Sequence, residues 1–139
     1  MTALFQVTPS PNAALALARE ILNEIRACQA DPFLAPLLSP DLPVAKSEWA
    51  LEAWHDSGTL YRGQVDRLVF DGENWWLLDY KTSRPPAGVD WDDFIASEKE
   101  KYRPQLLAYR DMVARFFEIT PALINAVLYF TACRRHVII

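Results

Sequence analysis

Leu15, Ala18, Leu22 and Ile25 recur at three- and four-residue spacing within ALALAREILNEIRAC. That spacing predicts a helix with one buried stripe. Asn12 stands where a helix cap is expected, and Glu20 and Glu24 fall one turn apart on another face. Residues 1–11, broken by Pro9 and Pro11, are expected to form a flexible lead-in to a single domain over 12–139. Prolines at 32, 36, 40 and 43 predict an irregular connector. From Val44 the period shortens. VAKSEWALEAW, TLYRGQVDRLVF and WWLLDYKT predict three strands. Asp71-Gly72-Glu73-Asn74 is a hairpin signal between the second and third. SRPPAGVDWDD predicts a mobile loop, followed by a helix from about Phe94 to Phe117. Pro104 should lie near that helix's working start or kink it, and Thr120-Pro121 should stop it. LINAVLYFTA is a continuous apolar run, the mark of a buried strand. Because it follows a crossover helix, it should lie parallel to a strand of the meander. The expected class is α/β: a mixed central sheet flanked by helices, in the order helix, three-strand meander, helix, strand.

With 139 residues, 51% of them hydrophobic and 23% charged, the chain suits one core and excludes wholesale disorder. The 14 basic and 18 acidic residues give a net charge of −4. No blanket positive charge exists to hold a polyanion, so contact with nucleic acid must be local or supplied by a partner. Two cysteines, Cys28 and Cys133, exclude a disulfide framework and a four-cysteine iron–sulfur site. No apolar run reaches membrane-spanning length, and MTALFQVTPSP lacks the features of a signal peptide. A cytoplasmic protein without a membrane role is expected.

The hairpin concentrates the chemistry. A turn centred between Gly72 and Glu73 sets Asp66 opposite Asp79 and Gln64 opposite Lys81. Opposed side chains share a face, roughly 4.5–5.5 Å apart at Cβ, and Lys81 shares the face of Asp79 two residues earlier. Two carboxylates this close repel unless compensated. One compensation is a salt-bridge network with the lysine. The other is a divalent cation: Mg²⁺ takes one or two carboxylates and leaves room for a phosphate oxygen, with the backbone carbonyl of Tyr80 as a further oxygen ligand. Lys81 could then orient or deprotonate an attacking water, or stabilise charge on phosphorus. Charges on an interior strand are costly unless paired or metal-bound, and Asp79 follows Trp-Trp-Leu-Leu. No serine–histidine or cysteine–histidine set for acyl transfer is apparent.

Gly63-Gln64-Val65-Asp66-Arg67, then Asp79-Tyr80-Lys81-Thr82, then Gln105-Leu106-Leu107-Ala108-Tyr109 together resemble the PD-(D/E)XK nuclease superfamily. The resemblance is to its RecB/AddA type, the nuclease domain of bacterial recombination helicase–nucleases, and covers about 44–131. It implies a restriction-endonuclease-like core and metal-dependent hydrolysis of DNA phosphodiesters, exonuclease in type and serving recombination and repair. It implies Asp66, Asp79 and the Tyr80 carbonyl as ligands of Mg²⁺ (or Mn²⁺), and Lys81 as the catalytic lysine. Gln105 and Tyr109, four apart on one helix face, would support the site and approach the DNA. The implied partners are single-stranded DNA and a helicase motor, in the same parent polypeptide or in another subunit. No phosphate-binding GxxxxGK[ST] motif is present.

The pattern departs from the family in one respect. RecB-type domains carry a metal-binding histidine on an upstream helix, and neither His55 nor His136 fits that place. Either Glu20 or Glu24 substitutes for it, or the chain is a fragment whose upstream portion carries it; the second is the expectation. The alternative function is a catalytically silent nuclease-fold module that binds DNA or docks on a protein. Glu48 is expected in a strand-edge ion pair and Arg67 in packing on the opposite face. Trp91 is the tryptophan expected to meet a DNA strand. Lys99, Lys101, Arg103 and Arg110 offer phosphate contacts or a solvated helix face.

Overall fold

A computed structural model of the chain describes residues 10–54 and 56–139. Helix α1 spans Pro11–Gln29, strands β1, β2 and β3 span Val44–Trp54, Leu60–Phe70 and Trp75–Lys81, and helix α2 spans Trp91–Phe117. Strands β4 (Ile124–Phe130) and β5 (Arg135–Ile138) complete one five-stranded sheet of order β1-β2-β3-β4-β5. The fold is α/β with a mixed sheet: β3 and β4 run parallel, and the other neighbours are antiparallel.

The strands form where alternation and β-branched or aromatic content predict them, and Asp71 closes the β2–β3 turn. Its Oδ1 accepts the N–H groups of Glu73 and Asn74 at 2.8 and 2.7 Å, while Gly72 takes the left-handed φ of 102° that the turn requires. The turn sets Phe70 opposite Trp75 and Arg67 opposite Leu78, the register expected from a centre between Gly72 and Glu73. β5 is an element the sequence pattern did not announce. Arg134, with φ 55°, precedes it, and its four residues alternate too briefly to signal a strand.

Two apolar clusters lie on opposite faces of the sheet. Leu51, Val65, Leu68, Leu77, Leu128 and Phe130 pack with Leu106 and Val113 of α2. On the other face Val69, Leu78, Val127 and Tyr129 pack with Cys28, Leu34 and Leu37. Arg67 ties the connector to that second face, as expected of a packing arginine: it donates to the carbonyls of Leu37 and Ser39 and to Ser47 Oγ.

Several expectations need correction. Ser10, not Asn12, caps α1, its Oγ accepting from the Ala13 N–H at 3.2 Å; Pro11 already occupies the first helical turn. The remaining lead-in, residues 1–9, lies outside the described residues. Leu15, Leu22 and Ile25 are about half exposed rather than buried, at 52%, 50% and 47%; of α1 only Cys28 enters a core. α2 begins three residues earlier than expected because Asp90 caps it, its Oδ1 accepting from Asp93 N–H at 2.8 Å. Trp91 therefore opens a helix rather than ending a loop, and it packs against Phe94 and Phe130. α2 runs through Pro104 and ends ahead of Thr120-Pro121, where Glu118 takes the left-handed conformation (φ 56°).

Candidate active site

The β2–β3 ladder stops at Arg67 and Leu78. Beyond it the strands separate, so Asp66 and Asp79, and Gln64 and Lys81, are not ladder pairs as expected. The cause lies in β2. Val65 and Leu68 both enter the cluster under α2 although they are three residues apart, so the strict alternation of a flat strand is broken between them. β1 has a matching irregularity. Its pairing with β2 skips from Ser47↔Arg67 to Trp49↔Val65, and the residue skipped, Glu48, holds a φ of 49°. Glu48 is exposed and belongs to none of the ion pairs found among the described residues, which corrects the expectation of an edge pair.

The fork gathers the acidic groups. Asp66 Oδ2 accepts the backbone N–H of Tyr80 at 2.8 Å, in place of the ladder bond that a continuing strand would supply. Asp79 neighbours Asp66 and also meets Lys81, whose Nζ stands 2.9 Å from Asp79 Oδ2. The side chains of Lys81 and Asp79 are only 17% and 16% exposed. Burial pushes the Asp79 carboxyl up from the ordinary carboxylate range, and the neighbouring Asp66 adds to this; Lys81 opposes it. A half-buried pair of carboxylates served by one lysine is under-compensated, which is what a cation would correct.

The backbone supplies one more oxygen to the fork. The N–H and C=O of a strand residue point to the same side. The Lys81 carbonyl accepts from Thr131 N–H at 3.0 Å and so faces β4. Tyr80 is one residue earlier and its N–H faces Asp66, so its carbonyl points into the opened side, toward β2. Two carboxylates and one carbonyl form a hard-oxygen donor set of the kind that suits a hard divalent cation. Among the described residues, no group of three or more His, Cys, Asp or Glu side chains converges, so the fit is to a cation that keeps most of its waters. Glu24 does not join. It accepts from Thr131 Oγ1 at 2.7 Å and pairs with Arg84 at 3.4 Å, in a groove it shares with Tyr80 and Cys28 on the sheet face opposite Asp79. Glu20 is exposed. His136 stacks on Phe33, and His55 lies outside the described residues.

α2 roofs the fork. The Tyr109 ring packs against β2 at Gly63, where a Cβ would collide with it, so the glycine of the G-x-x-D-R run is the residue that admits the aromatic. Gln105 Nε2 donates to Tyr109 Oη at 2.7 Å, leaving both side chains in one hydrogen-bonded unit at the rim. One residue of this face escaped the sequence reading. The ring of Tyr102 covers Lys81, with Nζ 3.5 Å from the ring centroid. Its neighbours Glu100, Lys101 and Arg103 make the stretch look like a solvated face; the only available signal was its position three residues before Gln105. Arg103 is occupied by Glu100 at 2.8 Å.

An acidic pair and a lysine thus gather at a strand fork, under a helix that carries Gln105 and Tyr109, on a restriction-endonuclease-like core. The chain belongs to the PD-(D/E)XK nuclease superfamily, whose family model matches residues 8–136. It is similar to the A-type subunit of the ATP-dependent helicase/nuclease of Natranaerobius thermophilus, with 32% identity over 79 residues, 57% of this chain and 6% of that protein. It is also similar to the protein of the same name from Heliobacterium modesticaldum, with 24% identity over 103 residues, 73% of this chain and 6% of the relative. The chain thus spans a small fraction of the length of the curated relatives it matches. Among the described residues, no helix is long and apolar enough to cross a membrane.

Proposed function

We propose that this domain hydrolyses DNA phosphodiester bonds with a divalent cation, Mg²⁺ or Mn²⁺, as the exonuclease module of a helicase–nuclease in recombination and repair. The observation that carries the reading is the half-buried Asp66–Asp79 pair at the strand fork, with Lys81 2.9 Å from Asp79. Single-stranded DNA is the proposed substrate, and a helicase motor, on the same polypeptide or on a partner chain, the proposed source of it. The helicase/nuclease name of both relatives supports that pairing, and DNA processing of this kind accords with a cytoplasmic setting.

Asp66, Asp79 and the Tyr80 carbonyl would hold the cation, which when bound offsets the carboxylate repulsion and draws charge from the phosphate. The chain's own groups do the rest. Lys81, held close to Asp79, orients the attacking water and carries cationic charge to the phosphorus as water oxygen bonds to it. The bond from phosphorus to the leaving 3′-oxygen breaks, the water gives up a proton and the 3′-oxygen takes one up, giving a 5′-phosphate and a 3′-hydroxyl. Gln105 and Tyr109 at the rim support the fork and face the strand.

Cleavage of single-stranded DNA in Mg²⁺ tests this. Lys81→Ala and Asp79→Ala are each expected to lower the rate by at least about a hundredfold, and a chelator should abolish it. Cleavage unaffected by both substitutions would sink the proposal. A second reading is favoured because, among the described residues, no group of three or more acidic or imidazole side chains converges: a silent module that binds DNA without turnover. Calorimetry separates the two, since no heat of Mn²⁺ binding at millimolar metal, with DNA still bound, selects the silent module.

A further inference from the structure

We propose that Tyr102 is a positioning residue for Lys81, its ring face holding the ammonium group beside Asp79. The inference rests on Lys81 acting in catalysis as described above. Lysine is a flexible four-carbon stem ending in a compact charge with three donors. Keeping it in one place costs substantial rotamer entropy, and one carboxylate oxygen at 2.9 Å leaves the rest of the ammonium uncovered. Tyr102 covers it, with Nζ 3.5 Å from the ring centroid. That is well inside the range in which a ring quadrupole attracts a cation.

The two contacts differ in how a bound cation affects them. Asp79 is both the partner of Lys81 and a carboxylate that would hold the metal, so the ion pair weakens as the carboxylate is shared. The pull of the ring comes from its quadrupole and carries no net charge. It offers the metal no strong ligand and persists when the site is loaded. Tyr102 therefore supplies the anchor that sharing leaves intact. Its position on α2 lies three residues before Gln105, one helical turn away, so the roof that carries Gln105 and Tyr109 also carries the lysine's support. Lys101 Nζ stands 5.1 Å from the same centroid, a longer contact that leaves the shorter one to Lys81.

The test combines kinetics with a readout that needs neither metal nor substrate. Tyr102→Leu should lower kcat about tenfold with little change in KM, and Tyr102→Phe, which keeps the ring, should stay within about twofold of the parent. With ¹³C-labelled lysine, the chain's four lysines give four side-chain signals. The Lys81 ε-methylene protons should be shifted upfield by the ring current in the parent and in Tyr102→Phe, and return to the ordinary position in Tyr102→Leu. A Lys81 signal at the ordinary position in the parent protein would overturn the inference without any variant, as would Tyr102→Leu cleaving at the parental rate while Lys81→Ala does not cleave. Parental cleavage by Lys81→Ala would instead remove the nuclease reading on which this rests, even with the ring-current shift in place.

Discussion

α1 carries the more pronounced apolar stripe in the sequence, yet α2 is the helix that the fold buries. Leu106 and Val113 of α2 are fully buried against the sheet, while Leu22 and Ile25 of α1 are 50% and 47% exposed. The helix that roofs the acidic fork is welded to the core; the other touches the sheet mainly through Cys28 and leaves a groove lined by Ile21, Ile25, Leu34 and Tyr80. Periodicity states that a face wants burial. It does not state what the face is buried against.

The sharpest break of this contrast is expected in the roof. Leu106→Ala removes a side chain with 0% exposure and should cost about 2–5 kcal/mol by urea unfolding, since a transfer term and a cavity term add. A loss below about 1 kcal/mol, closer to the order of magnitude of surface substitutions, would mean that α2 is not part of the cooperative core. Gly63→Ala comes next. The added methyl meets the Tyr109 ring, so either the ring or α2 must shift, at about 1–3 kcal/mol. Cleavage should fall with it, because Gln105 moves with Tyr109. In a Tyr109→Ala background Gly63→Ala should cause no further loss of stability, which a purely backbone effect of glycine would not permit.

The fork itself separates stability from function. The Asp79 carboxyl is raised above its unfolded value, chiefly by burial. The native state therefore binds that proton more tightly than the unfolded chain, and unfolding free energy falls as pH rises through the interval between the two values. In its ionised form Asp79 costs stability. Asp79→Asn removes that cost and keeps an acceptor for Lys81, so without divalent metal the melting temperature should rise by about 2 °C and its acid-side pH dependence should flatten. The same substitution should abolish cleavage. A lower melting temperature would show that Lys81 stabilises the carboxylate more than burial and Asp66 destabilise it.

What the sequence made legible follows the same division. Strand bounds and hairpin register were readable because Asp71 and Gly72 define the turn and the flanking residues alternate. The composition of the fork was readable too, since Asp66, Asp79 and Lys81 come together as expected. Its geometry was not. The separation of β2 from β3 depends on a local break of alternation between Val65 and Leu68, and a pattern of period two cannot display its own interruption. Tyr102 was hidden for a related reason: charged neighbours masked an aromatic whose partner, Lys81, is distant in sequence. The exposure of Leu15, Leu22 and Ile25 was hidden because the 3.6-residue period is a property of the helix alone, whereas burial is a property of the helix and its neighbour.

The smallest effect belongs to α1. Leu22→Ala removes a side chain that is already half in water, so the transfer free energy lost is small and no enclosed cavity results. The expected change in unfolding free energy is within about 0.5 kcal/mol, with helix propensity slightly favouring alanine and partly offsetting the lost contact. Cleavage of single-stranded DNA should be unchanged, because α1 meets the sheet on the face opposite Asp79 and Lys81. The measurement is informative in both directions. A loss above about 1.5 kcal/mol would be the signature of a buried methylene set, and would mean that the stripe is covered in solution. The contrast between the two helices would then lie in what they pack against, with burial common to both.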